Sequence, residues 1–198
     1  MDATPNRRQR RLPASEDALA ELAVAYLERF PTTAARAALY LGRKTGEAVA
    51  EGLCSPSDAQ AWVVAVVQRM KRARVLDDRR WAESRARVLH RRGRALRVIR
   101  RDLVTHGVEP ELVEGALDAL AEEHGDVELS AARALARRRR LGPFAQPHQR
   151  AELRERHLAV LARAGFSFTV ARRVIDEPAD DASPWTSLTP RDESQAAT

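Results

Sequence analysis

The sequence predicts an all-α fold: an elongated array of three tandem three-helix, helix-turn-helix-like repeats. Three observations carry that prediction. Hydrophobic residues make up 44% of the 198-residue chain and aromatics only 5%. A core must therefore be built from Ala, Leu and Val, within a composition rich in the helix formers Ala, Leu, Arg and Glu. No window shows sustained two-residue alternation of β-branched residues, so strands are not expected. A block of helix, glycine stop, apolar residue, turn and helix also occurs twice. LVTHGVEPELVEGAL (Leu103–Leu117) aligns without gaps to LARAGFSFTVARRVI (Leu161–Ile175), 58 residues apart. One such unit has too small a core to stand alone, so neighbours must share one.

Residues 1–14, with Arg7, Arg8, Arg10 and Arg11, read as a disordered basic tail. The first repeat spans 15–75. Ser15 caps a helix over about 16–29, with Leu19, Leu22, Tyr26 and Leu27 on one stripe and Pro31 ending it. Thr32 or Thr33 opens a second helix, which offers Ala35, Leu39 and Tyr40 to the core and is weakened at its end by Gly42 and Gly46. Residues 46–55 read as a loop with at most a helical turn. Ser55-Pro56-Ser57-Asp58 is a strong helix start, and Trp62, Val63, Val66, Val67 and Met70 follow at helical spacing.

The second repeat spans 76–124. Asp77 or Asp78 caps its first helix, in which Trp81, Ala82, Val88 and Leu89 form the apolar arc. Arg85 falls inside that arc, so its stem should pack and its head should reach an acid or the surface. Gly93 ends the helix. Leu96, Ile99 and Leu103 supply the next stripe, Gly107 is a left-handed cap, and Pro110 starts the third helix. In the third repeat, 125–177, one helix covers 126–141 with Leu129, Ala132, Leu135 and Ala136 inside. A second runs over 146–164 to Gly165, and Ser167 caps the last, which holds Val170, Val174 and Ile175. Residues 178–198 read as a disordered acidic tail, with Trp185 its one unusual residue.

The charge is segregated. Arg69–Arg101 holds 14 Arg or Lys and three acids, whereas Gly107–Ala132 holds eight acids and no Arg or Lys. A local density of this kind suits phosphates or an acidic protein groove, although Arg-rich helices also serve as plain solvated faces. Helix position selects Arg87, Arg91, Arg94, Arg97 and Arg101 as a candidate nucleic-acid or partner surface, with Arg137, Arg138, Arg139 and Arg140 second. The candidate helices lack the Asn and Gln that read base edges, so any DNA contact would be to phosphates and independent of sequence.

Other chemistry finds no pattern. The five histidines have no metal-ligand spacing and read as scattered surface residues, and Cys54 is a lone thiol. There is no phosphate-binding glycine loop ending in Lys-Ser/Thr and no nucleophile context. No enzyme activity, cofactor or metal is expected. No apolar run approaches a membrane span, so a cytoplasmic protein without membrane contact is expected.

The pattern LDD-x2-WA-x10-G-x5-I-x3-L-x3-GV-x4-V-x2-AL, from Leu76 to Leu117, resembles the central signature of the RecX regulatory proteins. Leu76, Asp77, Asp78, Trp81, Ala82, Gly93, Leu103 and Gly107 are its structural positions here. AYLERFPTTAARAALYLGRK (Ala25–Lys44) is similar to the family's opening helix pair. Ala131–Arg139 and the GFSFTVARRVI segment resemble its third repeat. The 46–55 loop is longer than the family suggests. The resemblance implies a protein, monomeric on this reading, that binds the RecA recombinase, free or as a filament on single-stranded DNA. It would chiefly inhibit the ATPase, strand-exchange and co-protease activities of that filament, with weak direct DNA contact. The competing reading is a stand-alone, non-sequence-specific nucleic-acid-binding protein.

Overall fold

The computed structural model describes residues 12–178; the N-terminal basic segment up to residue 11 and the acidic segment with Trp185 lie outside them. Among the described residues the chain is all helical, with no strand. The α-helices are α1 (Glu16–Arg29), α2 (Ala34–Ala50), α3 (Pro56–Arg72), α4 (Asp78–Arg91), α5 (Leu96–Thr105), α6 (Pro110–His124), α7 (Val127–Arg139), α8 (Arg150–Ala164) and α9 (Phe168–Ile175). Two 3-10 turns, Gly142–Phe144 and Pro147–Gln149, precede α8. The second of them takes the place of the first turn of the helix expected from 146, so α8 itself begins at Arg150.

The predicted caps are formed. Ser15, Ser55 and Ser167 accept the N–H groups of Ala18, Asp58 and Val170. The repeated block also folds alike at its two copies. The N–H of Val108 bonds Leu103 O at 3.2 Å, as that of Phe166 bonds Leu161 O at 3.2 Å. Gly107 and Gly165 sit between them at φ +73° and +109°. Each pair closes the six-residue loop of a glycine-terminated helix. Leu103 and Leu161 are both fully buried.

The chain divides into two compact units. The first comprises Met1–Arg85 and Asp102–Ala116. Leu19, Ala23, Leu27, Ala37, Leu41, Val66, Met70 and Leu76 form its core, with Trp62, Val63 and Val67 packed against them half-buried. Helix α2 differs from expectation in two ways. It continues through Gly42 and Gly46 to Ala50, so the expected long loop shrinks to residues 51–55. Both glycines are exposed, and burial of Thr45 and Ala48 on the opposite side offsets their cost. Its buried stripe is Ala34, Ala37, Leu41, Thr45 and Ala48, which leaves Leu39 68% exposed on the far side of the wheel. Tyr40 stacks on Tyr26 with centroids 3.9 Å apart.

The start of α2 is the most heavily fixed point of this unit. Thr33 Oγ1 accepts the Arg36 N–H and donates to His106 O at 2.5 Å. The first N–H of the helix, on Ala34, donates to Asp78 Oδ1 at 2.8 Å. Trp81 Nε1 donates to Pro31 O at 3.1 Å, and its half-buried ring lies on His106 rather than in the core. Gly107 belongs here for a second reason: a Cβ on it would stand 2.5 Å from Ala35 Cβ. The two adjacent acids thus divide their work. Asp77 caps its own helix through the Arg80 N–H at 2.9 Å, while Asp78 caps α2. Arg85 does as its wheel position requires, since its guanidinium grips Asp102 at 2.8 and 2.9 Å. That hydrogen bonding holds the Arg85 pKa above its ordinary value.

The second unit comprises Ala86–Arg101 and Leu117–Thr198. Leu129, Ala132, Leu135, Ala136, Leu158, Leu161, Phe166, Val174 and Ile175 build its core with Ala95. Glu128 Oε1 accepts the first N–H of α5, on Leu96, at 2.8 Å. An acid from the first turn of the next repeat again caps an earlier helix, as Asp78 does for α2. Burial pushes the Glu128 carboxyl pKa up, and its bond to the Leu96 N–H only partly reverses the effect.

Two histidines expected at the surface are buried here. His157 Nδ1 accepts the Gly142 N–H at 3.1 Å. His90 Nε2 lies 3.2 Å from Val127 O and 2.9 Å from Ser130 Oγ, and its ring stacks on His124. A carbonyl can only accept, so the proton sits on Nε2, and the buried Nδ1 has no partner. Each imidazole fills a gap between helices and satisfies a backbone group there, a role that spacing along the chain does not disclose.

Candidate nucleic-acid and partner interface

All nine arginines singled out in the sequence belong to the second unit. The turn between α4 and α5 sets their placement. Gly93 adopts φ +66° and presses against α7, where a Cβ would lie 2.6 Å from Leu135 N and 2.7 Å from Leu135 Cβ. Only glycine permits both the left-handed backbone and the approach. The contact carries Arg94, the next residue, onto the C-terminal turn of α7, where Arg138 and Arg139 project.

At this junction lies a cavity of about 250 Å³ lined by Gly93, Arg94, Leu135, Arg138, Arg139, Val160, Arg163 and Ala164. Half its lining residues are arginines, and Leu135, Val160 and Ala164 supply the apolar part of the lining. Arg163, on α8, is a member that the sequence reading missed. Three elements distant in the chain deliver these groups, and Arg163, one of four arginines in α8, gives no signal of that convergence.

The other arginines fare differently. Arg97 lies beside the Gly165 turn, where a Cβ would stand 2.9 Å from its Nε. Arg91 is exposed on the last turn of α4. Arg101 is exposed near the middle of α5. Arg87 is matched by Glu123 at 2.7 Å, which cuts its value as a free cation. Arg137 lies over the Phe144 ring at 5.3 Å. Arg140 takes the left-handed cap position of α7, with φ 55° and ψ 53°. The basic set is therefore one cluster at the cavity, exposed neighbours, and members committed to internal contacts.

Three acids of the 107–132 segment in this unit have structural contacts. Glu123 pairs with Arg87, Asp126 caps α7 at Leu129 N and meets Arg173 at 3.1 Å, and Glu128 caps α5. Arg133 and Arg154 are matched by Glu177 and Asp176. Hydrogen bonding to Arg154 holds the Asp176 pKa down.

Among the described residues no group of three or more His, Cys, Asp or Glu side chains could hold a metal ion. No described helix is long and apolar enough to cross a membrane.

Residues 77–117 match the second three-helix domain of RecX. That span holds the paired acids, Trp81, Gly93 and Gly107. The chain is 40% identical over 159 residues to the regulatory protein RecX of Myxococcus xanthus (strain DK1622), covering 80% of this chain and 84% of that protein. A crystal structure of regulatory protein RecX shares the fold at a TM-score of 0.55 and 22% identity, over 82% of this chain and 72% of the other. The signature read from Leu76 to Leu117, the caps and glycine contacts that explain it, and the extent of the identity lead to one conclusion: the chain belongs to the RecX family of regulatory proteins.

Proposed function

We propose that this protein binds the RecA recombinase, free and as its filament on single-stranded DNA, and modulates the filament, mainly by inhibiting its ATPase, strand-exchange and co-protease activities. The observation that carries the reading is the relation over most of the chain to a regulatory protein RecX. The segregation of charge supports it. A helical protein with a basic cluster on one unit suits a groove lined by both protein and phosphate. On this reading the three-helix segments 15–75, 76–124 and 125–177 are its repeats. The protein works as a cytoplasmic monomer, with no cofactor and no catalysis of its own. Arg91, Arg94, Arg97, Arg101, Arg138 and Arg139 face the filament or its DNA. Arg87, Arg137 and Arg140 contribute less, because Glu123, Phe144 and the helix cap engage them.

The test is steady-state ATP hydrolysis by RecA on single-stranded DNA, titrated with this protein, beside DNA binding measured without RecA. Inhibition at substoichiometric ratios with weak binding to DNA alone is expected. No inhibition with tight DNA binding would refute the reading in favour of a stand-alone nucleic-acid-binding protein. The arginine-lined cavity is the feature that gives this alternative its weight.

A further inference from the structure

We infer that the cavity between the Gly93 turn, the end of α7 and α8 is a discrete seat for one backbone phosphate of a single-stranded nucleic acid, with Arg163 as an essential member. The inference rests on the interface reading above and sharpens it from a basic surface to a stoichiometric site. Its first support is the contrast in how the arginines of this unit are used. Arg87, Arg133, Arg154 and Arg173 each hold a carboxylate. No carboxylate lines the cavity, and none of the described acids pairs with Arg94, Arg138, Arg139 or Arg163. Four cations with no acidic partner among the described residues repel one another, and a bound anion relieves that repulsion.

The second support is geometric. The four guanidinium-bearing chains come from three elements and converge on one cavity of about 250 Å³, with room for a phosphate and part of its sugar. A phosphate presents oxygens in several directions and accepts forks from different sides at once. A carboxylate presents two oxygens in one plane, and one guanidinium can satisfy it, as Arg133 does with Glu177. Leu135, Val160 and Ala164 complete the lining between the arginines and offer no acid to compete with a bound anion. The third support is rigidity. The seat hangs on Gly93 pressed against Leu135 and on Gly165 packed against Ala95 and Val98, so its arms leave fixed backbones.

The experiment measures binding of the full-length protein to the oligonucleotide dT12 by fluorescence anisotropy over a series of salt concentrations. Arg163→Gln is compared with Arg29→Gln, which removes the same charge from an exposed position on α1 in the other unit. Loss of one charge-assisted arginine–phosphate contact should weaken binding about tenfold. It should also lower the slope of log K against log salt by about 0.7. R29Q should change affinity less than about twofold. Inorganic phosphate should compete with dT12 on the wild type more strongly than on R163Q. Equal losses in the two variants would overturn the seat and leave a diffuse basic surface. Tighter binding of a hexaglutamate peptide than of dT12, with the same sensitivity to R163Q, would overturn it in favour of an acidic protein segment. RecA inhibition is measured on the same variants. Retained inhibition by a protein that does not bind dT12 would overturn the seat while leaving the filament reading intact, and lost dT12 binding in R163Q with no wild-type inhibition would support the seat while refuting the filament reading.

Discussion

Replacing Gly93 by Ala tests the contact on which the basic cluster depends. Two costs arise. The backbone at φ +66° is left-handed, which costs an L-residue about 1–2 kcal/mol. The new methyl would also stand 2.6–2.8 Å from Leu135 N, Cβ and Cα. These are atoms of α7 itself, and Leu135 is buried in the core, so no flexible side-chain tip can swing away. Overpacking of this kind costs about 1–3 kcal/mol. Together they amount to about 2–5 kcal/mol, a large part of the stability of an ordinary domain. Gly125→Ala isolates the first cost. Gly125 has φ +63° and lies in the same unit, with nothing within 4 Å of the position a Cβ would take. In urea, with an m of about 2 kcal/mol/M, the midpoint should fall by about 1–2.5 M for G93A and by about 0.5–1 M for G125A. Equal shifts would show that the close approach of the turn to α7 does not exist in solution. The account of how Arg94 reaches the cavity would then fail with it.

The paired acids should separate by function. Asp77→Ala removes only the cap of α4 and should cost about 1 kcal/mol. Asp78→Ala strands the N–H of buried Ala34 and should cost about 1–3 kcal/mol, much of it restored by Asp78→Asn, whose side-chain oxygen can still accept. Identical losses for the two alanine variants in urea unfolding would contradict the assignment of Asp78 to α2. Stability should also depend on pH through the two buried imidazoles. Burial lowers the pKa of His90, which faces His124 and Glu123, and of His157, which faces Arg156. A depressed folded pKa means that protonation favours the unfolded chain. The contribution is present above the unfolded value near 6.5 and is lost as pH falls through the lower folded value. The urea midpoint should therefore be lower at about pH 5.5 than at about pH 7.5. His157→Asn, which keeps an acceptor for Gly142 N–H but cannot titrate, should narrow that difference; an unchanged difference would remove His157 from the explanation.

The sequence by itself determined what depends on near neighbours in the chain. Helix caps, glycine stops and apolar stripes act within a few residues, so Ser15, Ser55, Ser167, Gly107 and Gly165 could be read directly, and the repeat of Leu103–Leu117 at Leu161–Ile175 followed from the same short-range rules. Arg85 was legible for a similar reason, since a charge inside an apolar arc must find a partner. Only the tertiary structure decided the rest. The rotation of α2 that exposes Leu39, the capping of α2 by Asp78 and of α5 by Glu128, and the burial of His90 and His157 all join residues remote in the chain. The same holds for the site. Helix position marks many arginines as equivalent, because each shows the same charge at the same spacing. Which are matched by carboxylates, and which line one cavity with Arg163, is decided by contacts between helices remote in the chain. Charge is a property of the residue, but whether it is neutralised or left for a ligand is a property of the packing around it.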